Sequence, residues 1–225
     1  MAKVTAKLRV WDPWVRLTHW GVALLLPLSW WSAEIGRFDL HFLSGYAILT
    51  LVLFRLAWGV LGSETARFAR FVQGPAAALR HLLHLRRRDA PPEIGHNAAG
   101  GWMVVALLAL LLAQAISGLF ADDLILNRGP LARRVDEAWS SLATSIHLRV
   151  FWVILGCAVL HVLAVLAYRL FAGRNLVGPM LTGRMRAPPG TPAPRQGSHL
   201  LAVALLGGAT ALVWWISTLR PPGFF

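Results

Sequence analysis

Two histidines, His147 and His161, stand 14 residues apart in an otherwise apolar stretch. On an α-helix that spacing sets them about 21 Å apart along the axis and about 40° apart around it, so they share a face. Their own helix holds them too far apart to grip one ion together. Two separate cofactors, one near each end of the stretch, are the arrangement that spacing allows. His19 and His41 lie in two further apolar stretches. An ionisable side chain inside such a stretch is costly to bury and marks a functional site by default. Neutral imidazole nitrogen is an axial ligand of haem iron, and two imidazoles saturate the iron for electron transfer. The four histidines therefore predict two non-covalent haem b groups, each held by a pair.

The elements that would position these residues follow from composition. The chain of 225 residues is 56% hydrophobic and 14% charged, against roughly a quarter charged in ordinary soluble domains. Five stretches, 14–33, 41–61, 99–120, 143–170 and 199–219, approach the roughly 20 apolar residues that carry a helix across a bilayer. The expected fold is all-α: a transmembrane bundle with a four-helix core over 1–186, followed by a linker and an additional C-terminal helix over 187–225. No separate soluble domain is expected. In alternating spans His41 and His147 fall near one surface, while His19 and His161 fall nearer the other. Depth alone pairs His41 with His147 and His19 with His161.

The net charge of +12 raises nucleic acid as a partner, and its distribution removes it. Fifteen of the 22 basic residues precede or open the first stretch, lie between the second and third, or lie from the end of the fourth to the fifth. That asymmetry is the positive-inside pattern. It predicts a multi-pass membrane protein with a cytoplasmic N-terminus and, after five crossings, a C-terminus on the outer side. A basic start before an apolar run is also the form of a signal peptide, but the aromatic-rich run through Trp30 and Trp31 reads as a retained span. Cys157 is the only cysteine, so no internal disulfide forms, and Cys-x-x-Cys-His is absent. Residues 76–88 read as an amphipathic helix on the membrane surface, Pro91-Pro92 as a break, and 171–197 as a Pro/Gly/Arg-rich linker.

Haem propionates need cationic neighbours. Arg16 and Arg55 stand at the depth of the His19/His161 pair, and Arg37 and Arg149 at that of His41/His147; Arg55 and Arg149, within spans, are the stronger candidates. Gly45, one turn after His41, leaves room for a porphyrin face. His96 in Gly95-His96-Asn97 is a candidate quinone contact, beside a helix-capping reading with Asn97. His81, His84 and His199 read as solvated or headgroup-facing residues. Gln114, in a stretch without histidine, reads as an inter-helix hydrogen-bonding residue on a wall of the bundle.

The stretch Arg16-Leu-Thr-His19-Trp20 resembles the opening of the bacterial cytochrome b561 and nickel–iron hydrogenase cytochrome b family. Leu40-His41, the His147/His161 pair, Gly95-His96-Asn97 and Asn175–Gly183 are similar to it as well. The resemblance covers about residues 9–186. It implies a helical bundle with two haems b on these four histidines, exchanging electrons with the quinone pool and with a periplasmic partner, such as a c-type cytochrome or a dehydrogenase or hydrogenase subunit. A second reading within the family is superoxide oxidation at the outer haem, though the outer loops balance five arginines with six acids and form no anion funnel. A third, of another class, is a haem-free transporter or assembly factor, against which stand few broken spans and no midplane charge pair. No Walker, dinucleotide or zinc-hydrolase motif is present, so any flavin or nicotinamide chemistry belongs to another protein.

Overall fold

The computed structural model describes residues 6–83, 93–124 and 127–219, the side chains of 81–83 excepted. Five long helices dominate: α1 (Pro13–Glu34), α2 (Phe38–Leu61), α5 (Ala98–Phe120), α6 (Glu137–Phe171) and α8 (His199–Thr218). Between them lie the short helices α3 (Phe68–Phe71), α4 (Pro75–Leu83) and α7 (Val177–Thr182), together with strands β1 (Ala6–Arg9) and β2 (Arg184–Ala187). The rest of the expected surface helix, with Arg86 to Arg88 and His84, lies outside the described residues, as do Pro91-Pro92, Arg220 and Phe225.

Four of the long helices, α2, α5, α6 and α8, are long and apolar enough to cross a membrane. α1 has the length, 22 residues, but Arg16, His19, its serines and its tryptophans keep it less apolar than the other four. Capping explains where the helices start. The Asp12 carboxylate accepts the backbone N–H groups of Trp14 and Val15, both at 2.8 Å, and Pro13 takes the first helical position, where no N–H is needed. Asn97 accepts the Gly100 N–H at 2.7 Å. Asp136 accepts the Trp139 N–H at 2.8 Å. Because Asp136 caps α6, that helix begins at Glu137 rather than near 143, and acids expected in a loop form its start. α2 likewise begins at Phe38, with Asp39 in its first turn where the helix dipole favours an acid. His41 and His147 therefore both stand inside helices.

The chain divides into two compact units. One comprises Met1–Leu17, Leu56–Ala106 and Cys157–Ala202; the other comprises Thr18–Arg55, Leu107–Gly156 and Val203–Phe225.

In the first unit, β1 and β2 pair antiparallel, Ala6 opposite Ala187 through Arg9 opposite Arg184. The expectation of helices and linker alone missed this ribbon, since neither short basic strand signals its partner. Gly183, at φ 76°, turns the chain out of α7. Its carbonyl accepts the N–H groups of Val10 and Trp11 at 2.8 and 3.1 Å. A side chain there would strain the backbone and meet the Trp11 carbonyl at 2.7 Å. The linker is ordered as well: Glu64 N–H donates to the Arg195 carbonyl at 2.9 Å, and Gly197 N–H to Ser63 at 2.8 Å. At the centre, the indole N–H of fully buried Trp58 donates to the other Asp12 oxygen at 3.0 Å.

In the second unit, Leu49, Leu119 and Val213 form a buried cluster, joined by Tyr46, Leu53, Leu112 and Ile216. α8 thus contributes to the same core as α2 and α5. Gly21 lets Leu51 approach: a Cβ on Gly21 would lie 2.7 Å from its side chain.

Asp12→Ala removes an N-cap, worth about 1 kcal/mol, and leaves a buried indole N–H unpaired at about 1–3 kcal/mol. The variant is expected to lose about 2–4 kcal/mol of stability in detergent. A double-mutant cycle with Trp58→Phe is expected to show positive coupling between the two sites; additive losses would refute the Asp12–Trp58 contact as a stabilising pair.

Candidate functional site

His41 on α2 and His147 on α6 come together in the second unit, with ring centres 6.0 Å apart and planes at 85°. Each ring is held by a backbone carbonyl. His41 Nδ1 lies 2.8 Å from the Ser29 carbonyl oxygen, and His147 Nδ1 lies 2.8 Å from that of Gln114. A carbonyl only accepts, so each Nδ1 carries the proton and each Nε2 keeps a lone pair for a metal. With Nδ1 engaged in this way, Nε2 is the nitrogen each ring can present to a metal.

The surroundings fit a macrocycle better than a bare ion. Two imidazoles on one metal, with bonds of about 2 Å, have ring centres roughly 6 Å apart. Among the described residues no three of His, Cys, Asp or Glu cluster to complete a metal's coordination. A porphyrin brings its own four nitrogens and needs only the two axial ligands. It also needs space, and a Cβ placed on Gly45 would meet nothing within 4 Å. Gly118 acts in the opposite sense: a Cβ there would lie 2.8 Å from the His147 ring, so only glycine lets that ring lie against α5.

The model of the prokaryotic cytochrome b561 family matches residues 10–183. The chain belongs to that family. No curated protein and no solved structure matches it. As a prokaryotic cytochrome b561 it is a bacterial membrane protein, a helical bundle that binds haem b and takes part in electron transfer. Family membership sets aside the haem-free transporter. The matched segment contains all four candidate histidines and ends before α8.

The other candidates of this cytochrome are distributed as follows. His19, on α1 in the second unit, is half-buried, with its ring edge-on to Trp20 at 4.8 Å. His161, on α6 in the first unit, is also half-buried. Arg55 is buried, at 4% exposure, so it does not snorkel. Arg149 is exposed, two residues past His147 and so about 200° around the helix from it. That position turns Arg149 away from the His41–His147 contact. Arg16 is also committed elsewhere: its guanidinium donates to the Met180 carbonyl at 3.2 Å and to that of Leu181. Arg37 forms a two-pronged pair with Asp39 at 3.0 and 2.9 Å.

His96 packs between Trp11 and Phe71, with ring centres 4.5 Å from each. Its neighbour Asn97 caps α5 and donates to the Tyr168 hydroxyl at 2.9 Å. Trp14 donates to His199 Nδ1 at 3.1 Å. Gln114 serves the His147 ring through its backbone oxygen, so α5 supports a ligand without supplying one. Sequence reasoning missed Ser29 and Gly118. A backbone acceptor leaves no trace in residue type, and a glycine against a ring is legible only once the ring's position is known.

Gly45→Leu is expected to fill the opening beside His41, and Gly118→Val to displace His147. Both variants should retain helical circular dichroism and bind less haem per chain, read by pyridine haemochrome. Full haem content in Gly45→Leu would mean that the opening serves another purpose.

Proposed function

We propose that this cytochrome carries two haems b, one held by His41 and His147 and the other by His19 and His161. It passes electrons across the bacterial inner membrane between the quinone pool and a periplasmic partner, a c-type cytochrome or a dehydrogenase or hydrogenase subunit. The observation that carries the reading is the His41–His147 pair, 6.0 Å between ring centres with both Nδ1 atoms already committed to carbonyls. In support of the second site, His161 follows His147 by 14 residues on the continuous helix α6, the spacing that returns a residue to nearly the same face.

A bound haem b supplies a one-electron iron couple. The chain's residues set the conditions under which that couple works. The Ser29 and Gln114 carbonyls fix the orientation of two ligand rings and raise their basicity. Rings fixed in this way need not reorient when the charge on the metal changes. Buried Arg55 offers a positive charge to the propionates of the His19/His161 site, where low dielectric strengthens the attraction. His96, between Trp11 and Phe71, is the proposed quinone contact. The basic excess on one side supports a cytoplasmic N-terminus and a periplasmic C-terminus, with α1 crossing as the fifth span.

His41→Ala and His147→Ala are expected to leave the same residual redox centre in potentiometric titration, and His19→Ala and His161→Ala the other. Matching residual spectra for His19→Ala and His147→Ala would overturn the pairing. In proteoliposomes containing quinol, an external c-type cytochrome should be reduced. His96→Ala should slow quinol oxidation by about tenfold or more, as loss of a positioned polar contact does, with both haem bands intact. Unchanged kinetics would move the quinone site elsewhere.

A further inference from the structure

A cavity lies outside the histidine sites, in the first unit. It has a volume of ≈ 370 Å³ and is lined by Glu64, Arg67, Arg70, Pro192, Ala193 and Arg195. At about 30 Å³ per water molecule in the liquid, it is much larger than one small ion requires. Its walls are built rather than accidental. Glu64 and Arg195 are joined through both main chains: Glu64 N–H donates to the Arg195 carbonyl at 2.9 Å, and Arg195 N–H donates to Glu64 Oε2 at 3.0 Å. Arg67 Nε donates to the Gly62 carbonyl at 2.8 Å, which anchors that side chain. Arg70 pairs with Glu64 Oε1. The Arg195 N–H and Arg70 hold the Glu64 carboxyl below its usual range, so it is ionised at neutral pH. Three guanidiniums against one carboxylate leave two positive charges on the lining.

The cavity's place in the chain indicates what those charges meet. Its first lining residue follows the end of α2 at Leu61 by three positions, and α2 is apolar enough to span a membrane. Val60 and Leu61, on the last turn of α2, are exposed. Guanidiniums at headgroup depth, next to exposed aliphatic side chains, suit an amphiphile with an anionic head. Planar guanidiniums bind phosphate oxygens in pairs.

We propose that this cavity, between the linker at 192–195 and the end of α2, binds a phosphate-bearing anion, the phosphodiester of an anionic phospholipid headgroup. The test uses the haem-loaded chain in neutral detergent, titrated calorimetrically with dihexanoyl phosphatidylglycerol, dihexanoyl phosphatidylcholine and inorganic phosphate. The parent and the double variant Arg70→Gln/Arg195→Gln are compared. The Arg195 main-chain bonds to Glu64 do not depend on its side chain, so the linker's closure is retained. Phosphatidylglycerol is expected to bind more tightly than phosphatidylcholine, and the double variant to weaken it by about tenfold or more. Inorganic phosphate that binds, and is weakened equally, would support the site with free phosphate as its source. Equal affinity of parent and variant for phosphatidylglycerol, or no binding of any probe, would overturn the proposal. If the double variant loses its visible haem spectrum, Arg195→Gln alone carries the same comparison.

Discussion

A histidine ring among apolar helices must dispose of one N–H, and that requirement governs the candidate site. No water is at hand in hydrocarbon, so a donor left unpaired there costs about 1–3 kcal/mol. His41 and His147 meet the requirement with the carbonyls of Ser29 and Gln114. Those carbonyls belong to helices, and helices are rigid, so the bonds fix both tautomer and ring direction. The His41–His147 approach, the opening at Gly45 and the close fit at Gly118 all follow from where the carbonyls hold the rings.

Polar closure is solved differently in the first unit. There the chain leaves its long helices, and backbone groups near their ends need partners. Asp12 serves three donors at once: the N–H groups of Trp14 and Val15 and the indole of Trp58. The Gly183 carbonyl serves two more, and the ribbon of β1 with β2 satisfies the strands on either side. Arg16 completes the pattern by capping the carbonyl end of α7, where a cation also meets the negative end of the helix dipole. A basic residue at haem depth has become a capping residue.

The arginines illustrate how charge placement divides between topology and chemistry. In the sequence most of the basic excess falls in alternate connections, the pattern of the positive-inside rule. Depth in the sequence, however, says nothing of direction around a helix. Arg37 finds Asp39 two residues away, Arg149 points from the exposed face of α6, and Arg55 is enclosed. Of the four arginines expected at haem depth, Arg55 is the buried one.

Much of this protein was legible in its residues alone. Apolar runs of sufficient length dictate helices wherever backbone groups must bond internally, so the five long helices were expected. The 14-residue spacing of His147 and His161 on one helix was legible too, because position along a helix is arithmetic at a fixed rise. The family followed from short local motifs, which need no fold to be read. Tertiary structure decided what depends on azimuth and on long-range approach. Asp12 and Trp58 are 46 residues apart, and β1 at Ala6–Arg9 meets a strand at Arg184–Ala187. Gly118 matters only because His147 lies against it, and α6 starts early because Asp136 turned out to be its cap. Periodicity and hydropathy report on one helix at a time; which carbonyl faces which ring is settled only when helices pack.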